Sequence, residues 1–512
     1  MCKIGILLLD RDFEHDVYEL IKAFYPEGDI HSLYEKDEEE YDIFFTVERD
    51  EKNFIIRYET KDKKGAARAA VITGADLKEE SSEAKKPEDG AQESPKIMDA
   101  HELRKANKDG LKYVLYNVLV KLTGRTLPWG NLTGIRPAKL AMGMIESGMK
   151  NTEIAQVMRD HYLVSAKKTA LAITIANRER ALLQDIDYEH GYSLYVGIPF
   201  CPSICLYCSF SSYPLKIWHK RVDEYLDALC LEIRETAKMM KNYKLDPIYI
   251  GGGTPTTLEP DQLRRLLDQL GESFGFDGLV EFTIEAGRPD SITREKLEAI
   301  REYPVTRISV NPQTMNQKTL EIIGRRHTVA QTIEAFQLAR ELDYNNINMD
   351  LIVGLPGEDI SMVRNTLDKI KELSPDSLTV HSLAVKRAAR LNMFRDKYQE
   401  MTFENNQEIM DLTQQTAYSM EMGPYYLYRQ KNMKGNFENV GYAKVDKAGI
   451  YNILIMEEKQ PIIALGAGGS SKLVFDHGKR IERVENVKDV TSYIARIDEM
   501  IERKRTGIGT WL

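Results

Sequence analysis

"YVGIPFCPSICLYCSFSSYP", Tyr195 to Pro214, runs from an apolar strand into three cysteines, Cys201, Cys205 and Cys208, out of five in the chain. Three chemistries compete for them. Structural zinc wants four closed ligands in paired spacings, and a fourth would have to be something like His219. A redox dithiol fits Cys205-Leu-Tyr-Cys208 but leaves Cys201 superfluous. Three thiolates on one short loop also suit an iron–sulfur cluster with one iron left open.

Outward from this loop, the sequence after Gly191 alternates short apolar strands with helical stretches. The strands are "YSLYVGIPF", "PIYIGGG", "LVEFTIEAG", "TRISVNPQ", "NINMDLIVGLP" and "SLTVHSLAV". Parallel neighbours need crossover connections, so six strands joined by helices predict a parallel sheet. Six units are two short of a full (β/α)8 barrel. Polar groups follow each strand: Cys201, then Gly251 to Thr254, Glu285, Gln313, Asp350, and His381 with Ser382. Chemistry in parallel barrels collects at the carboxyl ends of strands, and packing alone does not explain such a convergence.

The rest of the 512 residues frames this core. With 42% hydrophobic content the chain buries a large core and divides into several domains, and its net charge of -9 opposes a general polyanion binder. Residues 1–74 read as a small α/β unit, with strands at "IGILLL", "YDIFFTVER" and "NFIIRYE" and a helix at "HDVYELIKAF". Residues 75–97, rich in both charges with Pro, Gly and Ser, read as a flexible linker. Residues 98–190 read as helices. "TEIAQVM" followed by "SAKKTALAI" superficially resembles a helix-turn-helix, but the acidic composition opposes DNA binding. Residues 191–400 form the strand–helix core and 401–512 a further α/β segment. Cys2 stands alone, and Cys230 in "VDEYLDALCLEIRETA" reads as a packed core thiol. The apolar run before Asp10 is too short for a signal sequence and no stretch is long enough to span a membrane, so a soluble, cytoplasmic protein is expected.

The C-x3-C-x2-C spacing after the first strand, with Tyr207 before the last cysteine, resembles the radical S-adenosylmethionine (SAM) superfamily. "YVGIPFCPSICLYC", "YIGGGTPT", "FTIEAGRPDSIT", "ISVNPQTMNQKTLEIIGRRH" and "NMDLIVGLPGE" together are similar to the oxygen-independent coproporphyrinogen III oxidase (coproporphyrinogen dehydrogenase) family. The likeness covers about 193 to 480; "WGNLTGIRPAKLA", "YYLYRQKNMKGNFENVGY" and "IIALGAGGSSK" resemble its HemZ-type branch.

That resemblance implies an α/β fold with a partial (β/α)6 barrel, a [4Fe-4S] cluster and SAM, with a second SAM molecule in this family. In the family the open iron chelates SAM, and one electron cleaves the sulfonium to methionine and a 5'-deoxyadenosyl radical. The implied cluster ligands are Cys201, Cys205 and Cys208. Tyr195 and Tyr207 would lie against the cofactor, Gly252, Gly253 and Thr254 beside its methionyl part, and Glu285 would accept from it. Gln313, Arg325 and Asp350 match SAM-binding positions, and Ser382 and Ser470 are carried over with them. The implied reaction is radical oxidative decarboxylation of two propionates of coproporphyrinogen III to vinyl groups, giving protoporphyrinogen IX. Four propionates call for cations, with Arg326, Lys386, Arg387, Arg390, Arg429 and Lys431 as candidates. A one-electron donor protein such as flavodoxin or ferredoxin is the expected partner; nucleic acid and membrane are not.

A heme-delivering chaperone of the same superfamily is the alternative, and a radical SAM enzyme on another tetrapyrrole is a third reading. The catalytic archetype carries a further cysteine two places beyond the third ligand. This chain has Phe210 there, as the chaperone-like branch does.

Overall fold

The computed structural model describes residues 2–71, 100–134, 136–210, 212–384, 389–393, 401, 405–430 and 436–511. The expected linker at 75–97 lies outside them, as do Lys386, Arg387 and Lys431. The chain divides into two compact units, one drawn from the described residues of 1–135, 147–173 and 435–437, the other from those of 136–146, 174–434 and 438–512.

The first unit is built on a five-stranded sheet of β1 (Lys3–Leu8), β2 (Asp29–Leu33), β3 (Ile43–Arg49), β4 (Asn53–Thr60) and β5 (Lys64–Ala70), in the order β2-β1-β3-β4-β5. β2 and β5, each polar or small-residue-rich, were absent from the sequence reading. Ile4, Ile6 and Leu8 bury one face of β1 against Val17, Leu20, Ile21 and Phe24 of the helix Glu14–Phe24. Alternation on the strand meets i, i+3, i+4 spacing on the helix, so both apolar faces close on one core.

The second unit holds β6 (Gly191–Ile198), β7 (Phe200–Cys201), β8 (Tyr213–Pro214), β9 (Lys244–Gly252), β10 (Glu281–Glu285), β11 (Arg307–Ser309), β12 (Ile347–Val353) and β13 (Ser377–Ser382). From the C-terminal part come β14 (Gly423–Tyr428), β15 (Asn439–Ala443), β16 (Ile462–Leu465), β17 (Ser470–Phe475) and β18 (Arg480–Glu485). β6, β9, β10, β11, β12 and β13 lie side by side in chain order, all parallel. This is the partial (β/α)6 barrel expected from the strand–helix alternation. The C-terminal strands lengthen it at both edges. β15 and β14 continue antiparallel from β13, while β16 runs parallel to β6 and carries β17 and β18.

The crossover helices show why the sequence folds this way. In Pro260–Phe274, Pro260 opens the helix where its missing N–H is harmless, and Gly275 closes it at φ 70°. Leu263, Leu266, Leu267 and Leu270 are buried between, each worth about 1.5–3 kcal/mol of apolar burial. Asp359 caps Ile360–Leu373 by accepting from Met362 N, and Val363, Leu367 and Ile370 face the sheet. Covered on both faces, β9 and β12 are almost continuously apolar, so their polar residues stand out.

Candidate active site

A cavity of about 570 Å³ opens at the carboxyl ends of the parallel strands, within the range of small-molecule sites. Every cluster and cofactor residue implied by the resemblance lines it: Cys201, Cys205 and Cys208; Tyr195 and Tyr207; Gly252, Gly253 and Thr254; Glu285, Gln313, Arg325 and Asp350; Ser382 and Ser470. Arg326, Arg390 and Arg429 do not figure among the described residues on that lining. Among the described residues its Arg and Lys side chains are Arg288, Arg307, Arg325 and Lys472.

The cysteine loop is lashed down by backbone contacts. Cys201 in β7 pairs with Pro214 in β8, Leu206 N donates to Ile323 O at 2.9 Å, and Ser203 Oγ donates to Gly324 O at 2.9 Å. Cys205 is 8% exposed, and the other two thiols are half-buried. Thr254 Oγ1 donates to Cys201 Sγ at 3.6 Å, and Arg288 Nη1 to Cys205 Sγ at 3.5 Å. Burial pushes the Cys201 thiol up to about 11, the Thr254 contact opposing, so ionisation there needs a cation.

The glycines have a reason that the sequence did not reveal. Gly253 N donates to Ile198 O at 2.7 Å, and a Cβ on Gly253 would sit 2.5 Å from Phe200 O and 2.9 Å from Ile198 O. A side chain would therefore prise the ends of β6 and β9 apart beside the cysteines. Gly252 adopts φ 106°, which L side chains rarely take.

Elsewhere on the lining, acids and aromatic rings gather. Tyr195 and Tyr249, partners across β6 and β9, stack at 6.3 Å, and Tyr451 stacks on Tyr249 at 4.5 Å. Tyr249 OH donates to Glu285 Oε1. Burial pushes the Glu285 carboxyl up to about 7, with the Asp350 charge adding to it and the Tyr249 bond opposing. Burial also presses on Asp350, but His381, Asn348 and Arg307 outweigh it and hold the carboxyl below its ordinary range. Asn348 Nδ2 donates to Asp350 Oδ1 at 2.7 Å, and His381 Nε2 lies 3.8 Å from Asp350 Oδ2. Arg325 is 6% exposed and donates to Asn311 O. Ser382 Oγ is already spent on Glu438 O at 2.9 Å.

Gln313 is strained. Its φ of 66° puts an ordinary side chain in the left-handed region, and its buried Oε1 has no hydrogen-bond partner. An orphaned acceptor on a cavity wall fits a site built for a ligand with N–H or O–H donors.

Among the described residues, no three His, Cys, Asp or Glu side chains converge to hold a single metal ion. A cube-shaped cluster binds each thiolate at a different iron, so its ligands need not converge on one point. Three thiols on one wall, with hydroxyl and guanidinium donors at two of the sulfurs, fit that group. His219, the extra ligand for zinc, is exposed, and its Nδ1 donates to Lys216 O at 3.1 Å.

Tyr249, Arg288, Arg307, Asn311, Tyr426, Tyr428, Tyr451 and Lys472 also line the cavity and are not among the residues expected there from sequence. Tyr249 was within reach, because it sits in register with Tyr195 on an inner strand, two residues before Gly251. The residues brought in by the C-terminal strands and the helix Ile450–Glu457 carried no local signal.

The model of the Radical SAM superfamily matches residues 195–370. The oxygen-independent coproporphyrinogen-III oxidase-like protein HemZ of Bacillus subtilis is 41% identical over 413 residues, covering 80% of this chain and 82% of that protein. The heme chaperone HemW of the same organism is 38% identical over 195 residues, 38% of this chain and 51% of HemW. The solved coproporphyrinogen III oxidase HemN of Escherichia coli shares the fold, with a TM-score of 0.51 at 24% identity over 63% of this chain and 72% of that one. Relatives are thus named both as oxidases and as heme chaperones. With its cysteine loop, parallel barrel and likeness to HemZ over about four-fifths of both chains, the chain belongs to the oxygen-independent coproporphyrinogen III oxidase-like family of the radical SAM superfamily, in its HemZ-type branch.

Proposed function

We propose that the protein is a radical SAM oxidoreductase that decarboxylates two propionates of coproporphyrinogen III to vinyl groups, giving protoporphyrinogen IX. The observation that carries this reading is the gathering of three thiols, the orphaned Gln313 Oε1 and the half-buried Glu285 on one cavity. Cys201, Cys205 and Cys208 would hold a [4Fe-4S] cluster. When bound, cluster and SAM supply the one-electron chemistry that begins with hydrogen abstraction from a propionate.

The chain's own residues bind and orient. Glu285 and Asp350 would accept from the ammonium and ribose hydroxyls of SAM, and Gln313 Oε1 would take a further donor. Tyr195 and Tyr207 offer aromatic faces, Thr254 a hydroxyl, and Gly252 and Gly253 exposed backbone. Arg325 and Ser470 complete the SAM contacts, with room in this reading for a second SAM; Ser382, its hydroxyl hydrogen committed to Glu438 O, would offer only its oxygen as an acceptor. Among the described residues Arg307 and Lys472 are the further cations on the cavity, each already held by a partner, Arg307 by Ser377 Oγ and Lys472 by Glu458 Oε1, and a propionate would join them there. An electron donor such as flavodoxin or ferredoxin would reduce the cluster. Among the described residues no helix is long and apolar enough to cross a membrane, which is consistent with a cytoplasmic enzyme.

Phe210 favours a second reading. It stands on the cavity lining, 71% exposed, where the catalytic archetype has a cysteine, and this leaves heme delivery as the alternative. Anaerobic reconstitution with iron, sulfide, SAM and reductant separates the two. Vinyl product with 5'-deoxyadenosine supports the enzyme. 5'-Deoxyadenosine without vinyl product overturns the substrate, and stoichiometric heme binding without turnover favours the chaperone.

A further inference from the structure

Cys205 is the thiol that two guanidiniums act on, those of Arg288 and Arg325, and Arg288 is the one clamped in place. Arg288, 3% exposed, donates from Nη1 to Cys205 Sγ at 3.5 Å and to Ser203 O at 3.0 Å, and from Nη2 to Ser203 Oγ at 3.0 Å. Its far side is clamped by Asp290, which accepts from Nε at 3.0 Å and from Nη2 at 2.9 Å. Behind Asp290 stands His327, fully buried, with Nδ1 3.8 Å from Asp290 Oδ1. The guanidinium therefore has no freedom to turn away from the sulfur. Anchoring the loop would need only the Ser203 bonds; the contact with Cys205 Sγ is additional. Cys201 meets a neutral hydroxyl instead. A buried guanidinium clamped by a carboxylate is costly to desolvate and persists where its direction matters.

A hydrogen bond and a positive charge at a cluster sulfur favour the reduced, more negative state. We propose that Arg288 is a positioning residue that raises the reduction potential of the cluster by donating to Cys205 Sγ, with Asp290 fixing its aim. The proposal rests on the cluster reading above and adds to it a named device for tuning electron entry.

The 512-residue chain, reconstituted anaerobically and assayed for iron and sulfide, is titrated electrochemically with the reduced cluster followed by electron paramagnetic resonance, without SAM. Arg288→Gln is expected to lower the reduced-to-oxidised ratio at fixed potential at least tenfold, a downward shift of about 59 mV for one electron. Arg288→Lys keeps the charge but cannot fork to Ser203 and Cys205 together, and its expected shift is smaller and in the same direction. A wild-type midpoint in Arg288→Gln overturns the proposal. If that variant loads no cluster, Arg288→Lys decides: a lowered midpoint supports tuning and an unchanged one overturns it. A wild-type chain that takes up no cluster overturns the cluster reading itself, and the proposal with it.

Discussion

On one wall of the cavity, three cysteines come from a single loop, tied by short-range partners such as Ser203 and by neighbours at Ile323 and Gly324. On another, Tyr195, Tyr249 and Tyr451 stack although they come from β6, β9 and a helix near the C-terminus. The first wall is a property of the loop and its anchors; the second exists only when the whole sheet is assembled. Lesions in the loop should remove metal while sparing the fold, and lesions in the sheet's long-range supports should unmake both.

The largest expected effect is on the sheet side. Lys504 Nζ and Glu232 Oε1 form a fully buried pair at 2.8 Å, and Glu232 also accepts from Gly466 N and Tyr493 OH, holding the loop that leads to Ser470. Lys504→Met strands that carboxylate and should cost about 3–5 kcal/mol, read by urea unfolding. A loss below about 1 kcal/mol would show the network to be dispensable.

Next is the junction between the walls. Gly253→Ala drives a Cβ against Phe200 O and should destabilise by about 1–3 kcal/mol while lowering iron uptake per chain. Iron uptake equal to wild type would mean that the glycine serves the sheet and not the cysteine loop.

The acid wall should show its own pH signature. Glu285 is raised from about 4.5 to about 7, so between those values the unfolded carboxyl has lost its proton while the folded one keeps it. Its contribution to stability therefore falls as pH rises through that window. SAM binding to the apo chain, measured by calorimetry, should tighten from pH 6 to 8 as Glu285 ionises. Glu285→Gln should flatten that profile. Tyr249→Phe removes the opposing bond and should move it upward by about one pH unit. A wild-type profile flat across this range would remove Glu285 from the binding site.

The smallest effect belongs to Phe210. At 71% exposure, Phe210→Ala should change stability by less than about 0.5 kcal/mol, so that any change in heme binding or turnover can be read as function.

The same contrast explains what was legible in the sequence. The six parallel strands and the residues at their ends were readable because each chemical group sits within a few residues of its own strand, where local pattern and spacing carry it. β16 was not, since four apolar residues at Ile462–Leu465 give no hint of pairing with β6 far upstream. Tyr451 and Lys472 reach the cavity through that pairing and through the C-terminal helix, and Arg307 reads locally as one charge at the start of a strand. Of the cations expected to meet propionates, Arg326 and Arg390 are exposed and Arg429 is buried away from the lining, and only assembly shows which ones turn toward the cavity.

The central claim is that the cysteine wall drives chemistry on a tetrapyrrole propionate. Mass spectrometry of tetrapyrroles after anaerobic turnover, with the wild-type chain beside Cys205→Ala, tests it most directly. The account predicts vinyl product from the wild type and none from the variant; vinyl product persisting in Cys205→Ala would contradict it.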